Sequence, residues 1–365
     1  MNNMQTYEVT LKPYSTYFFG GEKNFVNGNE DYLAISNIFP QQTTLLGLIR
    51  HQLLIQNGLL KDNKITDENM AQQLIGAGSY QLNTKWEGCG VIESLSPVFL
   101  KNNLNWIRKS ELTKGFKFTK IKGESTYSSG NIKNFIPLLE GYTAKDAKPN
   151  QYLNLNSPIN EDEIFSFVPR IGIQKKPSNL NREKAFYKQH HCTLKEAYSF
   201  VFYVTLRDTT NFSVNPDLTA KTLVQFSSTT ATMGAERSIF QLTINKENNP
   251  DYLRYFNKPE SSTPMTILLS DTLVNTPDLE MVEFIVSETQ DFRQFVTKTQ
   301  KNHQFNNFNK NGGNPNSPVK SKLQKLLKRG GVFFFETQEI RQQFTNKLIN
   351  DPNYKIGMNH FLNSQ

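Results

Sequence analysis

Pro40-Gln41-Gln42-Thr43-Thr44-Leu45-Leu46-Gly47-Leu48-Ile49-Arg50-His51-Gln52-Leu53-Leu54-Ile55-Gln56 is the stretch whose reading decides the fold. Leu45, Leu46, Ile49 and Leu53 stand at i, i+1, i+4 and i+8, which puts them on one face of a helix. Pro40 suits the entry to that helix, and Asn57-Gly58 supplies its stop. Thr43 and Thr44 fall in the first turn, with Arg50 and His51 further along. Upstream, Tyr7–Leu11 alternates as a strand does, with Tyr7, Val9 and Leu11 on one side. Between the two lies the turn-rich run Phe18–Asn24. The chain therefore opens as strand, loop, helix.

Downstream, Gly76–Gln151 breaks into short strands and polar loops, and Lys114–Lys122 is basic and aromatic. Tyr198–Leu206 reads YSFVFYVTL, a strand that must be buried on both faces, and a second domain is expected to begin there. This gives domains of 1–197 and 198–365. Further strands are expected near Lys221–Phe226, Ile239–Ile244, Thr266–Leu269 and Val332–Glu336, with short helices between, including Lys320–Lys328. Asn302–Pro318 is rich in Asn, Gly and Pro and is expected to be a flexible loop. A strand–helix–strand opening with a mostly β remainder, occurring twice, predicts an α+β protein. Its expected form is two ferredoxin-like (RRM-like) domains with antiparallel sheets, glycine-rich loops and insertions.

At 365 residues the chain is long enough for two such domains. Aromatic residues make up 12% of it and charged residues 20%, a balance that excludes a wholly disordered chain. Cys89 and Cys192 cannot staple a chain this long, so a reduced, cytoplasmic setting is expected. The start lacks the charged and apolar regions of a signal peptide, and the apolar runs are too short to span a bilayer, so no membrane partner is expected. The net charge of +8 favours an anionic partner, nucleic acid first.

Chemistry-bearing patterns are sparse. His190, His191 and Cys192 are consecutive, so they cannot all face one metal ion from a regular strand or helix. No GxSxG elbow, GxxxxGK[ST] loop or GxGxxG turn is present, and none of the five histidines is singled out as a general base. The expectation is a protein without cofactor or metal, and not an enzyme. Binding signals are richer. Four stretches join glycine to cations: Gly20–Lys23, Gly172–Lys176, Gly234–Arg237 and Lys328–Gly331. Glycine lets a backbone approach phosphate or ribose closely, while Lys and Arg neutralise charge. The start of the Gln41 helix adds unpaired N–H groups.

Several blocks resemble a known family. Phe18–Phe25 and Ile38–Arg50 are similar to the N-terminal block of the repeat-associated mysterious protein superfamily. Within it the resemblance is to the third subunit of type III-B (Cmr) CRISPR effector complexes. Val168–Ile173 followed by Lys184–Tyr187 resembles an Arg-x-Gly-Ile segment, Gly234–Arg237 a Gly-Gly-Glu-Arg loop, Gly330–Glu336 a glycine-rich loop entering a late strand, and Ile356–Asn359 a Gly-x-Asn finish. The order agrees along the whole chain. Departures are Gly20-Gly21-Glu22 for Arg-Asp-Gly, Gln41-Gln42 where prolines are common, Ala235 for glycine and Ser238 for a second arginine.

The resemblance implies a non-catalytic RNA-binding subunit that holds the 5′ repeat-derived tag of crRNA. Its implied partners are the large polymerase-like subunit and a neighbouring backbone subunit of the superfamily, with target RNA met only indirectly. Candidate RNA contacts are Lys23, Gln42, Thr43, Thr44, Arg50, Arg170, Lys175, Lys176, Gly234, Arg237, Lys328, Arg329, Gly330 and Gly331. Two other readings stay open: a CRISPR-processing endoribonuclease of the same superfamily, and the equivalent subunit of a type III-A (Csm) complex.

Overall fold

The computed structural model describes residues 4–20, 33–62, 64–76, 80, 88–110, 118–122, 135–139, 151–155, 157–173, 186–207, 226–234, 236–261, 263–274, 276–293, 295–296 and 319–365. The first elements are β1 (Met4–Pro13), β2 (Leu33–Ile35), α1 (Gln42–Gln56), α2 (Glu68–Ile75), β3 (Ile92–Leu95), β4 (Phe99–Asn102) and β5 (Asn105–Ser110). Then come β6 (Gln151–Asn154), β7 (Ser157–Asn160), β8 (Phe165–Ile173), β9 (Phe186–Leu194), β10 (Tyr198–Arg207), β11 (Phe226–Met233) and β12 (Ser238–Glu247). The remainder is β13 (Met265–Leu268), α3 (Thr276–Leu279), β14 (Phe284–Val286), β15 (Thr289–Phe292), β16 (Gln324–Leu327), β17 (Val332–Phe334), α4 (Gln338–Asn350) and β18 (Phe361–Asn363). Three short antiparallel pairs, 60–61 with 64–65, 118–122 with 135–139 and 295–296 with 319–320, complete the described β structure.

Burial explains the first sheet. On β10, Phe200, Phe202 and Val204 point to one side while Val201 and Tyr203 point to the other, and all are buried. A strand apolar on both faces belongs inside a covered sheet, and β10 pairs antiparallel with β1 on one edge and with β3 and β4 on the other. The sheet order is β7-β6-β5-β4-β10-β1-β12-β11. Taken in turn, β1, α1, β3, β10 and β12 lie in spatial order 4-1-3-2 with antiparallel neighbours, a split β-α-β arrangement. The first sheet therefore runs across the expected 197/198 boundary. The chain leaves it after Glu247 and enters the second sheet at Met265.

Helix α1 covers one face. Leu45, Leu46, Ile49 and Leu53 pack with Val9, Leu11, Phe202 and Phe240. Each such side chain contributes about 1.5–3 kcal/mol on full burial. The stop is built as expected: the Asn57 side chain donates to the Leu53 carbonyl at 2.8 Å, and Gly58 follows at φ +68°. The second sheet, β14-β17-β13-β18, is again antiparallel, with α3 and α4 between its strands, in the same 4-1-3-2 order. Phe344 and Leu348 of α4 pack on Leu268, Phe333 and Phe335.

One expected helix is a strand instead, one further helix is found, and two expectations lie outside the described residues. Lys320–Lys328 is not a helix. Its second half is β16, which pairs with β15, while Leu327 also bridges to Thr272. A segment this short holds no helix by itself, and strands on both sides satisfy its backbone instead. The α4 helix was not singled out, although Thr337 caps Ile340 N–H at 3.3 Å and Ile340, Phe344 and Leu348 recur at i, i+4 and i+8. Asn302–Pro318 and the 221–225 part of the expected Lys221–Phe226 strand lie outside the described residues.

The connector between the two sheets is tied to the second through buried polar contacts. His360, beside β18, accepts from the Tyr252 hydroxyl at Nδ1 (2.5 Å) and donates from Nε2 to the Tyr354 carbonyl (2.8 Å), while stacking on the Tyr354 ring at 3.7 Å. Burial lowers this imidazole from 6.5 to about 4. The unfolded chain thus binds a proton that the folded one refuses between these values, so stability is full above pH 6.5 and declines as pH falls towards 4. Urea unfolding at pH 7 and pH 4.5 should show the parent losing about 2–3 kcal/mol more than His360→Gln. Equal losses in the two proteins would show that His360 is not the titrating group.

Candidate nucleic-acid interface

One face of α1 carries Thr44, Gly47, Leu48, His51, Gln52 and Ile55, spaced as a helical stripe. It faces the end of β11, Thr230–Met233, and the turn to β12. Between these walls runs a groove of about 510 Å³, lined also by Gly234 and Arg237. The turn is held in place by the chain around it. Gly234 has φ +81°, and a Cβ there would lie 2.3 Å from the Phe18 carbonyl oxygen. Arg237, at φ +50°, donates its N–H to the Gly234 carbonyl at 3.2 Å, and Phe18 N–H donates to Ser238 Oγ at 3.3 Å. The Arg237 side chain is exposed.

Beside the turn, β9 contributes Gln189, whose amide donates to Glu236 at 3.4 Å and meets His191 Nε2 at 3.1 Å. The His191 ring packs on Phe18, 5.2 Å between centroids. Burial lowers its pKa, and Arg170 adds to the shift while Glu236 opposes it. Arg170, exposed on β8, donates to Thr16 Oγ1. Thus Thr44, Gly234 and Arg237 are brought to one groove, with Arg170 near the turn.

The other expected contacts are placed differently. Gln42 is buried, and its amide donates to the carbonyls of Ser96 (3.3 Å) and Gly357 (3.0 Å). It ties α1 to the last 3-10 turn and is not presented to a ligand. Thr43 is half-buried outside the groove, and Arg50 donates to Cys89 Sγ at 3.0 Å. Lys23, Lys175 and Lys176 lie outside the described residues. Lys328 and Arg329 line a second cavity of about 370 Å³ between the two sheets. Arg329 is buried there: it pairs with Asp271 at 3.3 Å, donates to the Val98 carbonyl at 2.8 Å and lies 4.2 Å over the Phe39 ring. Burial pushes the Asp271 carboxyl up, but the charge and hydrogen bonds of Arg329 outweigh it and hold the group below the usual carboxylate range. Lys328 pairs with Glu288 at 2.9 Å. Gly330 (φ +88°) and Gly331 form the turn, and a Cβ on Gly331 would meet Ser287 Oγ at 2.4 Å. Arg329 is therefore a clamp between sheets, contrary to the expectation of an RNA contact, because its guanidinium is already spent on protein acceptors.

Sequence reading did not single out Gly47, Gln52, Thr230 or Thr232 as groove residues. The helical stripe from Thr44 to Ile55 and a glycine in a helix interior were the available signals. Among the described residues, no cluster of three or more His, Cys, Asp or Glu side chains could hold a metal ion, and no helix is long and apolar enough to cross a membrane.

Residues 9–114 match the family model of a CRISPR-associated protein, Cas_Cmr3. The match runs from β1 through α1 to just past β5, so it includes the α1 wall of the groove and excludes β11 and its turn. No curated protein matches the chain. Among solved structures, the type III-B Cmr-beta complex bound to cognate target RNA contains a chain with TM-score 0.48 and 14% identity, over 97% of this chain and 96% of that one. The same complex with target RNA and AMPPnP gives TM-score 0.46 and 13% identity, over 97% and 95%. The Csm3-Csm4 subcomplex of a type III-A interference complex gives TM-score 0.35 and 10% identity, over 90% and 93%.

The two cations of the crevice predict mutational losses of different size. Arg329→Ala strands the Asp271 carboxylate and should cost about 3 kcal/mol. Lys328→Ala removes a partly exposed pair and should cost less than about 1 kcal/mol. Chemical denaturation of the two variants checks this, and similar small losses would remove Arg329 from its clamp role.

Proposed function

We propose that this chain is a non-catalytic RNA-binding subunit of a type III-B (Cmr) CRISPR effector complex. In this reading it holds the 5′ repeat-derived tag of crRNA, docks on the large polymerase-like subunit and works in the cytoplasm. Its two 4-1-3-2 sheets are then two ferredoxin-like units. The observation that carries the proposal is the groove, where residues from α1 and from the β11–β12 turn, almost two hundred positions apart, meet as Thr44, Gly234 and Arg237. The Cas_Cmr3 match to residues 9–114 and the net charge of +8 support it.

In this reading a single strand lays one backbone along the groove of about 510 Å³. Arg237 supplies charge to a phosphate, and Thr44 a hydroxyl that can donate or accept. Binding should weaken with salt, with a log–log slope near 0.7 per phosphate contact. Arg237→Ala combined with Thr44→Val should weaken binding of a 5′-tagged RNA by about tenfold or more, as expected for loss of a charge-assisted hydrogen bond. Fluorescence anisotropy over a salt series measures both. An unchanged affinity, or a flat salt response in the parent, would overturn the proposal, and cleavage of repeat RNA by the purified chain would replace it with the endoribonuclease reading.

A further inference from the structure

We propose that Gly47 is the point at which the ribose–phosphate backbone of bound RNA lies against α1, an assignment that rests on the groove being the RNA site. Glycine inside a helix is destabilising by about 1 kcal/mol relative to alanine. A glycine kept there needs a reason, and the other groove glycine shows what such a reason looks like. Gly234 is required by its positive φ and by the Phe18 carbonyl 2.3 Å from where its Cβ would stand. Gly47 has neither requirement. Its backbone is ordinary helix, and a Cβ built on it meets nothing within 4 Å. Leu48 and Ile49 beside it are buried, while Gly47 itself is exposed and lines the groove, one turn from Thr44 and from His51. Among the described residues, nothing occupies the space of the missing side chain. The space where its Cβ would stand is open, and the residue lines the groove that Arg237 also lines.

A bare helix backbone is a surface that a sugar can touch directly, and it is blind to the base. Any side chain at 47 would stand in the groove and push the strand away from α1, and from Arg237 across it. The assignment therefore predicts a loss that is independent of base sequence, with no loss of fold.

The test uses the full chain with Gly47→Ala, Gly47→Leu and Arg237→Ala, each titrated with oligo(A), oligo(C) and oligo(U) of equal length and melted in parallel. Gly47→Ala should unfold at the same temperature as the parent or higher, because alanine is the better helix former. Gly47→Leu should bind about tenfold more weakly, the scale expected of a crowded contact, and by the same factor for all three RNAs. Gly47→Ala should fall between it and the parent. Parent-like affinity in both Gly47 variants, with Arg237→Ala weakened, overturns the role of Gly47 and leaves the groove reading standing. A loss confined to one homopolymer overturns it too, since that marks base contact. Parent-like binding by Arg237→Ala removes the groove reading itself, and Gly47 with it.

Discussion

A strand that is apolar on both faces has to be covered on both faces, and β10 is that strand. Phe200, Phe202 and Val204 require a helix layer on one side, which α1 supplies through Leu45, Leu46, Ile49 and Leu53. Val201 and Tyr203 require a layer on the other, formed with Phe99, Trp106, Phe256, Leu269 and Leu362. The last two belong to the second unit, so the same strand that organises the first sheet also recruits the second. Once α1 is laid against the sheet, the stripe flanking its apolar face borders β11, at the sheet's edge, and the turn, and the groove follows from that placement.

Charge is divided between the two cavities in a way that composition cannot show. In the crevice between sheets, Arg329 and Lys328 have Asp271 and Glu288 beside them, so their charge holds the molecule together. Glu161, also in that crevice, has its carboxyl pushed up by burial, with Lys109 pulling the other way. At the groove, Arg237 is exposed and has no ion pair among the described residues, while Arg170 spends one hydrogen bond on Thr16. The groove turn carries Arg237 beside Glu236, whereas in the crevice Lys109, Lys328 and Arg329 stand among Glu161, Asp271 and Glu288. The glycine–cation pattern was the same in both stretches. What differs, among the described residues, is whether the cation is ion-paired with a carboxylate.

Local periodicity made several elements legible. Tyr7, Val9 and Leu11 read as one face of β1, YSFVFYVTL as a covered strand, and the Leu45–Leu53 pattern with Asn57-Gly58 as a helix with its stop. Each is decided by neighbours a few residues away, where side-chain direction follows from a period of 2 or 3.6. The exceptions are instructive. Lys320–Lys328 has helical spacing of leucines but is claimed by β15 and Thr272, partners that no local pattern names. Gln42 sits in a first helical turn, as expected, yet turns inward because Ser96 and Gly357 bring carbonyls to its amide.

The sequence by itself determined which segments could be strand or helix, where they stop, and that the chain is basic with glycine at its turns. Only the tertiary structure decided which of those turns border the groove and which are spent on contacts within the chain. Thr44 and Arg237 meet because β1 is paired with β12 while α1 crosses the same sheet, a consequence of strand order. Arg329 is withdrawn because Asp271, Val98 and Phe39 converge on it from three distant stretches. A residue's type limits the interactions open to it, but its partner is set by long-range pairing, which depends on the whole set of strands finding cover at once.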